Sequence, residues 1–500
     1  MAATETGERQ RTYGNWRRPQ TAGVGGLGMF GTAIGLGGLV LVVLALLVAW
    51  QLAIVMLVLL TAALAPMAVR DRHGRSLFQR LGARLGWRST VSAGSHIYRS
   101  GPLGRTGHGT CTLPGLAAAS DLSERQDAWG RPFALLSYPT TNHHVVVLTC
   151  EADGASLVDQ SQVDTWVAHW GQWLASLATE PGLVGASVTV ETAVDTGIRL
   201  AQEVTRNTVE DAPPLAKQML ADVLASYPAG SAQITTRIAL TYSGAARAGH
   251  ERRDADEMAV LIGNRLPGLA SGLAMTGAGL ARPMTASQLA EAVRVAYDPT
   301  VATLVEEAQS SGGSGITWAD AGPTGAEAAW THYRHDGAYS VTWSMSEAPR
   351  GAVLSSVLTS LMEPAEDIAR KRVTLLYRPH DPATAARVVE RDKRDAEWRM
   401  NNTKSVKARD TTAVRAAQQS AEEEASGAGV VRFSLLVTAT VTDKKDLPRA
   451  EAALDTLSGS SRLALRLVAG SQAAAFAAAL PIGLVLPLHL VVPSSIRDNL

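Results

Sequence analysis

The chain contains few residues whose types and spacing could support catalysis. The nearest match to a nucleotide-binding loop runs from Gly104 to Gly109 and continues into Thr110 and Cys111. A phosphate loop has the spacing G-x4-G-K-[ST], because backbone amides wrap the phosphates while the lysine and the hydroxyl complete charge neutralisation and Mg²⁺ binding. Since Thr110 stands where that lysine belongs, we expect a glycine-rich loop that clamps no phosphate.

The histidines do not have the spacing of a metal site. His143 and His144 are adjacent on an expected strand, so their side chains would point to opposite faces. His332 and His335 have the spacing of one helical face, but no cysteine or carboxylate cluster accompanies them at ligand spacing. The G-x-S-x-G and H-E-x-x-H motifs are also absent from the sequence. We therefore expect no metal, no cofactor and no catalytic residue, and we favour a structural or docking role over an enzyme.

An uncharged segment, residues 21–69, organises the rest of the chain. At about 1.5 Å per residue, one helix of this length would be roughly twice as long as the ~30 Å hydrocarbon core of a bilayer. We therefore predict two spans, near residues 31–49 and 52–69, with the break at Trp50 and Gln51. A cleavable secretory or twin-arginine signal is the alternative, but its apolar core would be several times shorter.

Basic residues stand on both sides of this predicted hairpin. They are Arg9, Arg11, Arg17 and Arg18 before it, and Arg70, Arg72, Arg75, Arg80, Arg84 and Arg88 after it. Because basic flanks stay in the cytoplasm, we expect a plasma-membrane hairpin with both termini and the remaining chain on the cytoplasmic side. The residues expected to anchor it at the membrane interface are Trp16, Arg17, Arg18, Trp50, Arg70, Arg72 and Arg75.

Glycines crowd the beginning of the first span. Gly31 and Gly35 are separated by three residues, a spacing that lets two helices approach closely. We expect this span to pack on its partner helix or on another membrane protein. A loosely ordered glycine-rich entry loop is equally compatible with the pattern.

Residues 70–99 form a basic juxtamembrane segment. Apolar residues at helical spacing alternate there with arginines; they are Leu77, Phe78, Leu81 and Leu85, beside Arg75, Arg80, Arg84 and Arg88. We expect this amphipathic helix to lie on the cytoplasmic leaflet, attracted by anionic lipid at about 1 kcal/mol per basic residue. A basic flank without ordered contacts is the alternative.

The remaining sequence alternates between strand and helix patterns, which predicts an α/β (α+β) fold of ferredoxin-like texture. Expected strands cover residues 133–138, 144–150, 184–192, 233–242, 339–346, 371–378, 430–442 and 462–468. Expected helices cover residues 163–177, 214–226, 254–274, 285–296, 353–362, 447–457 and 471–480, and another begins at Pro382. A capping signal at Thr285 marks the start of one of them.

These elements divide into two related units, residues 100–309 and 316–483, on either side of a linker from Ser310 to Gly315. Residues 1–20 form the N-terminal segment and residues 484–500 a C-terminal tail. Within the second unit, residues 387–424 are nearly all polar, with charges of both signs interspersed, which is typical of a solvated helix. We expect a protruding helical arm that contacts a partner protein.

Residues 467–496 are again uncharged. They could form a third membrane span, but Pro481, Pro487 and Pro493 would interrupt its backbone hydrogen bonds and His489 would be buried. We prefer a buried alanine-rich helix over residues 471–480.

Composition limits the remaining function classes. The formal net charge is zero, with 46 basic and 46 acidic residues, so the chain as a whole is no general nucleic-acid binder and we expect no direct nucleic-acid contact. Two cysteines, Cys111 and Cys150, are too few for a disulfide framework and are compatible with a reducing compartment.

Two regions resemble parts of the bacterial type IV secretion, or conjugative DNA transfer, apparatus. The segment from Trp16 to Pro19 with the two spans is similar to the small two-span inner-membrane subunit, which carries a short Arg-Pro motif before its first span. The later chain resembles the amino-terminal domain of the large secretion ATPase, through residues 285–296 and an alanine-rich helix with a Leu-Pro-Gly-like turn at residues 473–483. The chain thus looks like an actinobacterial fusion of these two subunits.

In that family the motor domain would begin shortly after Gly483, whereas this sequence ends at Leu500. The resemblance therefore implies a non-catalytic membrane scaffold that docks a separately encoded motor ATPase to the transfer channel. It also implies an oligomer with other channel subunits, and a motor-docking end at Leu480, Pro481 and Gly483. A core membrane subunit of a type VII secretion system is an alternative, and a membrane enzyme acting on envelope precursors is a second.

Overall fold

The computed structural model describes residues 11–14, 16, 28–69, 71, 73–104, 106–152, 154, 157–226, 232–246, 251–349, 351–402 and 408–490. Within these ranges the chain is a mixture of helices and antiparallel sheet, preceded by two apolar helices. The expected α+β class with an N-terminal helical hairpin is confirmed at this level.

Three helices precede the sheet. They are α1 (Gly28–Val48), α2 (Trp50–Ala68) and α3 (Leu77–Ser92). Ala49 alone separates the first two, with an extended backbone at φ −159° and ψ 130°. The break predicted at Trp50 and Gln51 lies one residue earlier, because Trp50 is already the first residue of α2.

The strands include every one that the sequence pattern predicts, together with shorter strands that it does not. They are β1 (Ile97–Arg99), β2 (Asp121–Gln126), β3 (Pro132–Tyr138), β4 (His143–Glu151), β5 (Leu183–Val194), β6 (Ala232–Ser243), β7 (Leu280–Pro283), β8 (Gly325–Ala328), β9 (Tyr333–His335), β10 (Ala338–Glu347), β11 (Arg370–Pro379), β12 (Val431–Val441) and β13 (Ala464–Leu467). The unpredicted strands have three to six residues, too few for a period-2 pattern to stand out.

The remaining helices are α4 (Gln160–Leu177), α5 (Ile198–Asn207), α6 (Pro214–Ser226), α7 (Ala255–Ser271), α8 (Ala286–Tyr297), α9 (Ala302–Ser310), α10 (Thr359–Met362), α11 (Pro382–Asn402), α12 (Ala408–Ala425), α13 (Leu447–Ser460) and α14 (Gln472–Ala479). The capping signal predicted at Thr285 is confirmed. The Thr285 hydroxyl accepts a hydrogen bond from the amide of Gln288, whose side chain accepts one from the amide of Thr285.

One antiparallel sheet joins all thirteen strands of the described residues. Its order is β1-β8-β9-β10-β12-β11-β5-β6-β4-β3-β2, while β7 pairs with β4 and β13 pairs with β10. Strands β2 to β7 therefore lie on one side of the sheet and β8 to β13 on the other. The two sides meet at β5 and β11, from Arg370 opposite Ala193 to Tyr377 opposite Ala186.

The two sides repeat one connectivity. Strands β2 to β7 correspond in order to strands β8 to β13. For example, β4 pairs with β3, β6 and β7, and its counterpart β10 pairs with β9, β12 and β13. The helices follow the same order: α4, α5 with α6, α7 and α8 correspond to α10, α11 with α12, α13 and α14. The two predicted units, 100–309 and 316–483, thus share one sheet.

Helices cover both faces of the sheet. On one face α4 and α7 cover the apolar side chains of β3, β4 and β6, and α13 covers those of β10 and β12. On the other face α8 and α14 cover a second core that includes Leu136, Val147 and Ala239. Because successive side chains of a strand alternate between faces, apolar runs such as Phe133 to Leu136 serve both cores.

The segment directly after α14, residues 480–485, is buried. The predicted alanine-rich helix is confirmed as α14, which has eight residues. The hydroxyl of Tyr138 then donates to the carbonyl of Ile482 at 2.8 Å, and the hydroxyl of Thr241 donates to the carbonyl of Gly483 at 2.7 Å. Gly483 has a left-handed φ of 64°, and a Cβ there would lie 2.5 Å from Thr241 Oγ1.

Three local expectations change in the folded chain. Only residues 355–362 of the predicted helix 353–362 are helical, because Val353 pairs as an isolated β-bridge with Tyr13. His335 lies on β9, so it shares no helical face with His332. At the predicted linker, Ser310 ends α9 and the Ser314 hydroxyl donates to Glu291 at 2.5 Å.

We expect Gly483→Ala to lower the free energy of unfolding by about 3 kcal/mol, because the new Cβ collides with Thr241 and Val145 at a left-handed position. The matched control is Gly268→Ala in α7, where an added Cβ meets nothing within 4 Å. That change should raise the stability by up to about 1 kcal/mol through helix propensity. Urea unfolding of the detergent-solubilised chain measures both, and equal effects would contradict the tight packing at Gly483.

Candidate membrane interface

The outer surface of α1 and α2 is apolar and uncovered. The windows 31–48 and 50–68 are long and apolar enough to cross a membrane, and only 11% and 6% of them are buried inside the chain. Apolar helices can also form the core of a soluble domain, but such helices are mostly buried, and these low fractions disfavour that interpretation. The side chains of Leu47 and Val48 at the tip are 80% and 81% exposed. The two helices are therefore candidate membrane spans.

Small residues hold the two helices together. Ala45 and Ala53 are buried between them near the tip, and a Cβ on Gly38 would lie 2.2 Å from Leu60 Cδ1. A larger residue at this position would require the Leu60 side chain to move. Of the predicted packing pair, Gly31 is buried, whereas a Cβ on Gly35 would meet Leu64 at an ordinary 3.8 Å. The close approach of α1 to Leu60 of α2 occurs at Gly38, a glycine of the same span that the sequence pattern does not single out.

Three of the predicted interfacial anchors lie among the described residues: Trp16, Trp50 and Arg75. Trp50 opens α2 beside the tip with 64% of its side chain exposed, and Trp16 is 36% exposed. Arg75 is half-buried in the turn after α2. Arg17, Arg18, Arg70 and Arg72 lie outside the described residues.

A short, tightly bonded turn leads from α2 into α3. The Asp71 carboxylate accepts hydrogen bonds from the amides of His73 and Arg75 at 2.9 and 3.0 Å. Desolvation raises the pKa of Asp71, but these amide bonds outweigh it and hold the pKa below its usual value. Ser76 and Gln79 then form a capping box that begins α3. The direction of α3 relative to the hairpin is thus set by local hydrogen bonds.

Both flanks of the hairpin contact the sheet-and-helix part. Before it, Tyr13 forms a two-way backbone bridge with Val353 at 2.8 Å, and its hydroxyl donates to Asp164 Oδ1 at 2.8 Å. After it, His73 Nδ1 lies 3.4 Å from the Ser346 hydroxyl at the end of β10. No local pattern in the sequence predicts the Tyr13 bridge, because its partner lies 340 residues away.

Helix α3 presents two different faces. Ala83, Trp87 and Thr90 are half-buried, and Trp87 packs edge-on against Trp330 at 6.0 Å between ring centroids. The apolar residues Phe78, Leu81 and Leu85 are 61%, 52% and 63% exposed on another side. Each residue of an α-helix turns by about 100° about its axis, which places the three arginines of α3 between these two faces; they are Arg80, Arg84 and Arg88. Helix α3 therefore packs on the rest of the chain through the face that contains Trp87. Its exposed apolar face is bordered by arginines on one side.

Residues singled out for chemistry have structural partners. In the glycine-rich loop, the amides of Gly104 and Thr110 donate within the loop, and the amide of Gly101 donates to Thr110. His144 lies 3.0 Å from the Ser137 hydroxyl, and its pKa is lowered by burial. His335 is buried between the Tyr297 carbonyl and the Ser340 hydroxyl, and burial lowers its pKa to about 4. No group of three or more His, Cys, Asp or Glu with metal-ligand placement occurs among the described residues.

The predicted motor-docking end is enclosed by the fold. Leu480, Pro481 and Gly483 are all buried, and the carbonyl of Gly483 is taken by Thr241. Their side chains therefore form no exposed surface. A docking surface at this end would have to use the residues that follow, where the exposed fraction rises to 45% at Leu490.

One family model matches the membrane-proximal part of the chain. A family model described as a domain of unknown function (DUF8461) matches residues 20–79, which include the hairpin and the beginning of α3. No curated protein matches the chain. The hairpin and the turn after it therefore form a unit that a family description covers, without a function attached.

We expect the exposed face of α3 to contact anionic lipid. A fluorescent label on Phe78→Cys, in a background without Cys111 and Cys150, should be quenched by spin-labelled lipid in anionic nanodiscs. Quenching should fall in the double variant Arg80→Gln/Arg84→Gln, because each arginine near an anionic surface contributes about 1 kcal/mol.

The control for this measurement is Arg282→Gln, an exposed arginine on β7 outside the interface. It should leave the quenching unchanged. Equal quenching in neutral and anionic nanodiscs, with or without the two arginines, would contradict an electrostatic contact.

Proposed function

We propose that the protein is a non-catalytic membrane scaffold of a conjugation-type (type IV) secretion system. In this proposal it docks a separately encoded motor ATPase and joins other subunits of the transfer channel. The observation that carries it is the hairpin whose two flanks are both bound to one sheet-and-helix body, by Tyr13 on one side and by His73 on the other. An anchor of this kind holds the body at a fixed place on the membrane.

The two attachments support a topology with both flanks on one side of the membrane. A chain that crosses twice returns to its starting side, and Tyr13 and His73, on opposite flanks of the hairpin, both contact the same body. The basic residues around the hairpin favour the cytoplasm as that side. The exposed apolar face of α3 would lie on the cytoplasmic leaflet.

We further propose that the body consists of two ferredoxin-like units. In the first, β4, α4, β5, β6, α7 and β7 follow one another in the order βαββαβ, and the strands lie in the order β5-β6-β4-β7. In the second, β10 to β13 repeat that order with α10 and α13. This arrangement supports the resemblance to the strand-rich amino-terminal domain of a secretion ATPase.

The arm formed by α11 and α12 supplies a surface for the partner. The two helices pack on each other through a small core of Ala396, Val414 and Ala417, and the strands β11 and β12 that carry them are in the middle of the sheet. Trp398 on this otherwise polar arm is 66% exposed. Exposed tryptophans are typical anchors of protein interfaces, so we place the motor contact on the arm.

The topology predicts a specific labelling pattern. In a background of Cys111→Ala and Cys150→Ala, the single variants Glu5→Cys and Ser89→Cys should react with an impermeant maleimide only in inverted membrane vesicles. Gln51→Cys, next to the tip of the hairpin, should react only in intact cells, because the two spans separate it from the flanks. Reaction of all three from one side would show that the hairpin does not cross the membrane.

The docking role predicts the partner. Affinity purification of the detergent-solubilised chain from its own host should recover an ATPase with a complete phosphate loop. Trp398→Ala should reduce that recovery at least tenfold, as expected for loss of an interface anchor worth 2 kcal/mol or more.

The matched control is Trp129→Ala, because Trp129 in the β2–β3 turn is equally exposed at 66%. It should leave the recovery unchanged. Recovery of no ATPase would contradict the docking role, and an ATPase of a protein-export machine would favour the type VII alternative.

A further inference from the structure

A group of buried charges lies where the two halves of the sheet meet. We call Glu191 with Arg237, Arg370 and Arg372 the junction cluster. The carboxylate of Glu191 on β5 accepts from Arg372 Nε at 2.8 Å and from Arg372 Nη2 at 2.7 Å, and its other oxygen accepts from Arg370. By strand register Glu191 is opposite Arg372 on one side and Thr235 on the other, so all of these side chains share one face of the sheet.

The charges of the junction cluster do not balance. Three guanidinium groups face one carboxylate, and the charged groups that act on Arg237 are Glu191, Arg372 and Arg370. Burial raises the pKa of Glu191, but the arginines outweigh burial and hold the pKa well below its usual value. The single negative charge of Glu191 therefore neutralises only one of the three positive charges. Arginine cannot shed its proton in a protein, and a surplus of positive charge therefore remains.

Two donors of the cluster lack an acceptor. Among the described residues, Arg372 Nη1 and Arg237 Nε are buried without a hydrogen-bond partner. The side chain of Arg372 is only 2% exposed, and its guanidinium lies 5.5 Å from the centre of the Phe476 ring, which offers no oxygen. Buried N–H groups of charged side chains are rarely left unbonded, because the desolvation is then uncompensated.

Two arginines of the junction cluster are partly exposed. Arg370 is 13% exposed and Arg237 is half-buried, with its Nη1 donating to the Thr235 hydroxyl at 3.2 Å. Phe476 of α14 lies over the guanidinium of Arg372. The cluster is therefore partly exposed at Arg370 and Arg237 and covered by an apolar ring at Arg372.

We propose that the junction cluster binds a phosphate-bearing anion through Arg237 and Arg372. The planar guanidinium fork matches phosphate oxygens, and a dianion would offset the two positive charges that Glu191 leaves unbalanced. Bound there, the anion would bridge β6 and β11, and so join the two halves of the sheet beside the Glu191 ion pairs. The site is independent of the secretion partner proposed above.

Isothermal titration of the full detergent-solubilised chain in a chloride buffer tests the site with inorganic phosphate and with ADP as probes. Saturable binding of either is expected, and the tighter of the two identifies the free or the nucleotide-borne phosphate as the source. Arg237→Gln should weaken binding about tenfold or more through loss of a charge-assisted bond. Arg334→Gln should not change it, because Arg334 is exposed on β9 and its side chain lies on the other face of the sheet.

Thermal unfolding without phosphate separates this role from a purely structural one. If Arg237 carries surplus charge, Arg237→Gln should unfold at the same temperature as the unchanged chain or higher, and phosphate should no longer stabilise it. A clear fall in the unfolding temperature would instead make Arg237 a structural partner of Glu191 and overturn the site. Absence of saturable binding of both probes would overturn it as well.

Discussion

The pairing of β5 with β11 is the contact on which the rest of the sheet-and-helix part depends. Eight residue pairs join the two strands, and Glu191 is held across them by Arg370 and Arg372. Burying these charges is costly, and a shift of register that separated Glu191 from its arginines would leave buried charges uncompensated. Because both strands are central, this one seam turns two half-sheets with the same connectivity into a continuous surface.

Polar side chains on one face of the sheet also explain why α14 is rich in alanine. On the face that it covers, the strands of the second half present hydroxyls such as Thr342, Thr438 and Thr374, which bond to each other or to the carbonyl of Ala479. A helix can approach such a polar surface closely only if its side chains are small, and α14 is mostly alanine. Gln472 fixes its start through two hydrogen bonds with the backbone of Thr342. An uncharged sequence here therefore belongs to the interior of the fold.

Local patterns predicted the elements better than their arrangement. The charge-free length of residues 21–69 required a hairpin, and strands such as β4 and β12 were evident from their apolar residues. Strand neighbours were not predictable, because period-2 alternation defines the faces of a strand but not its partners. The same holds for the candidate interface: α3 was visible as an amphipathic pattern, whereas Tyr13 finds Val353 only through tertiary contact. Gly38 was indistinguishable from the glycines around it until Leu60 was placed against it.

The turn at Ala49 has a mechanical consequence. With a single extended residue between them, α1 and α2 cannot slide along each other, and the contact of Gly38 with Leu60 keeps them in register. A hairpin of fixed length responds to a thicker or thinner bilayer mainly by tilting. Since its flanks are held by Tyr13 and by the turn at Asp71, a tilt would be passed on as a rotation of the attached body. In the topology proposed above, bilayer thickness would thereby influence the orientation of the attached body.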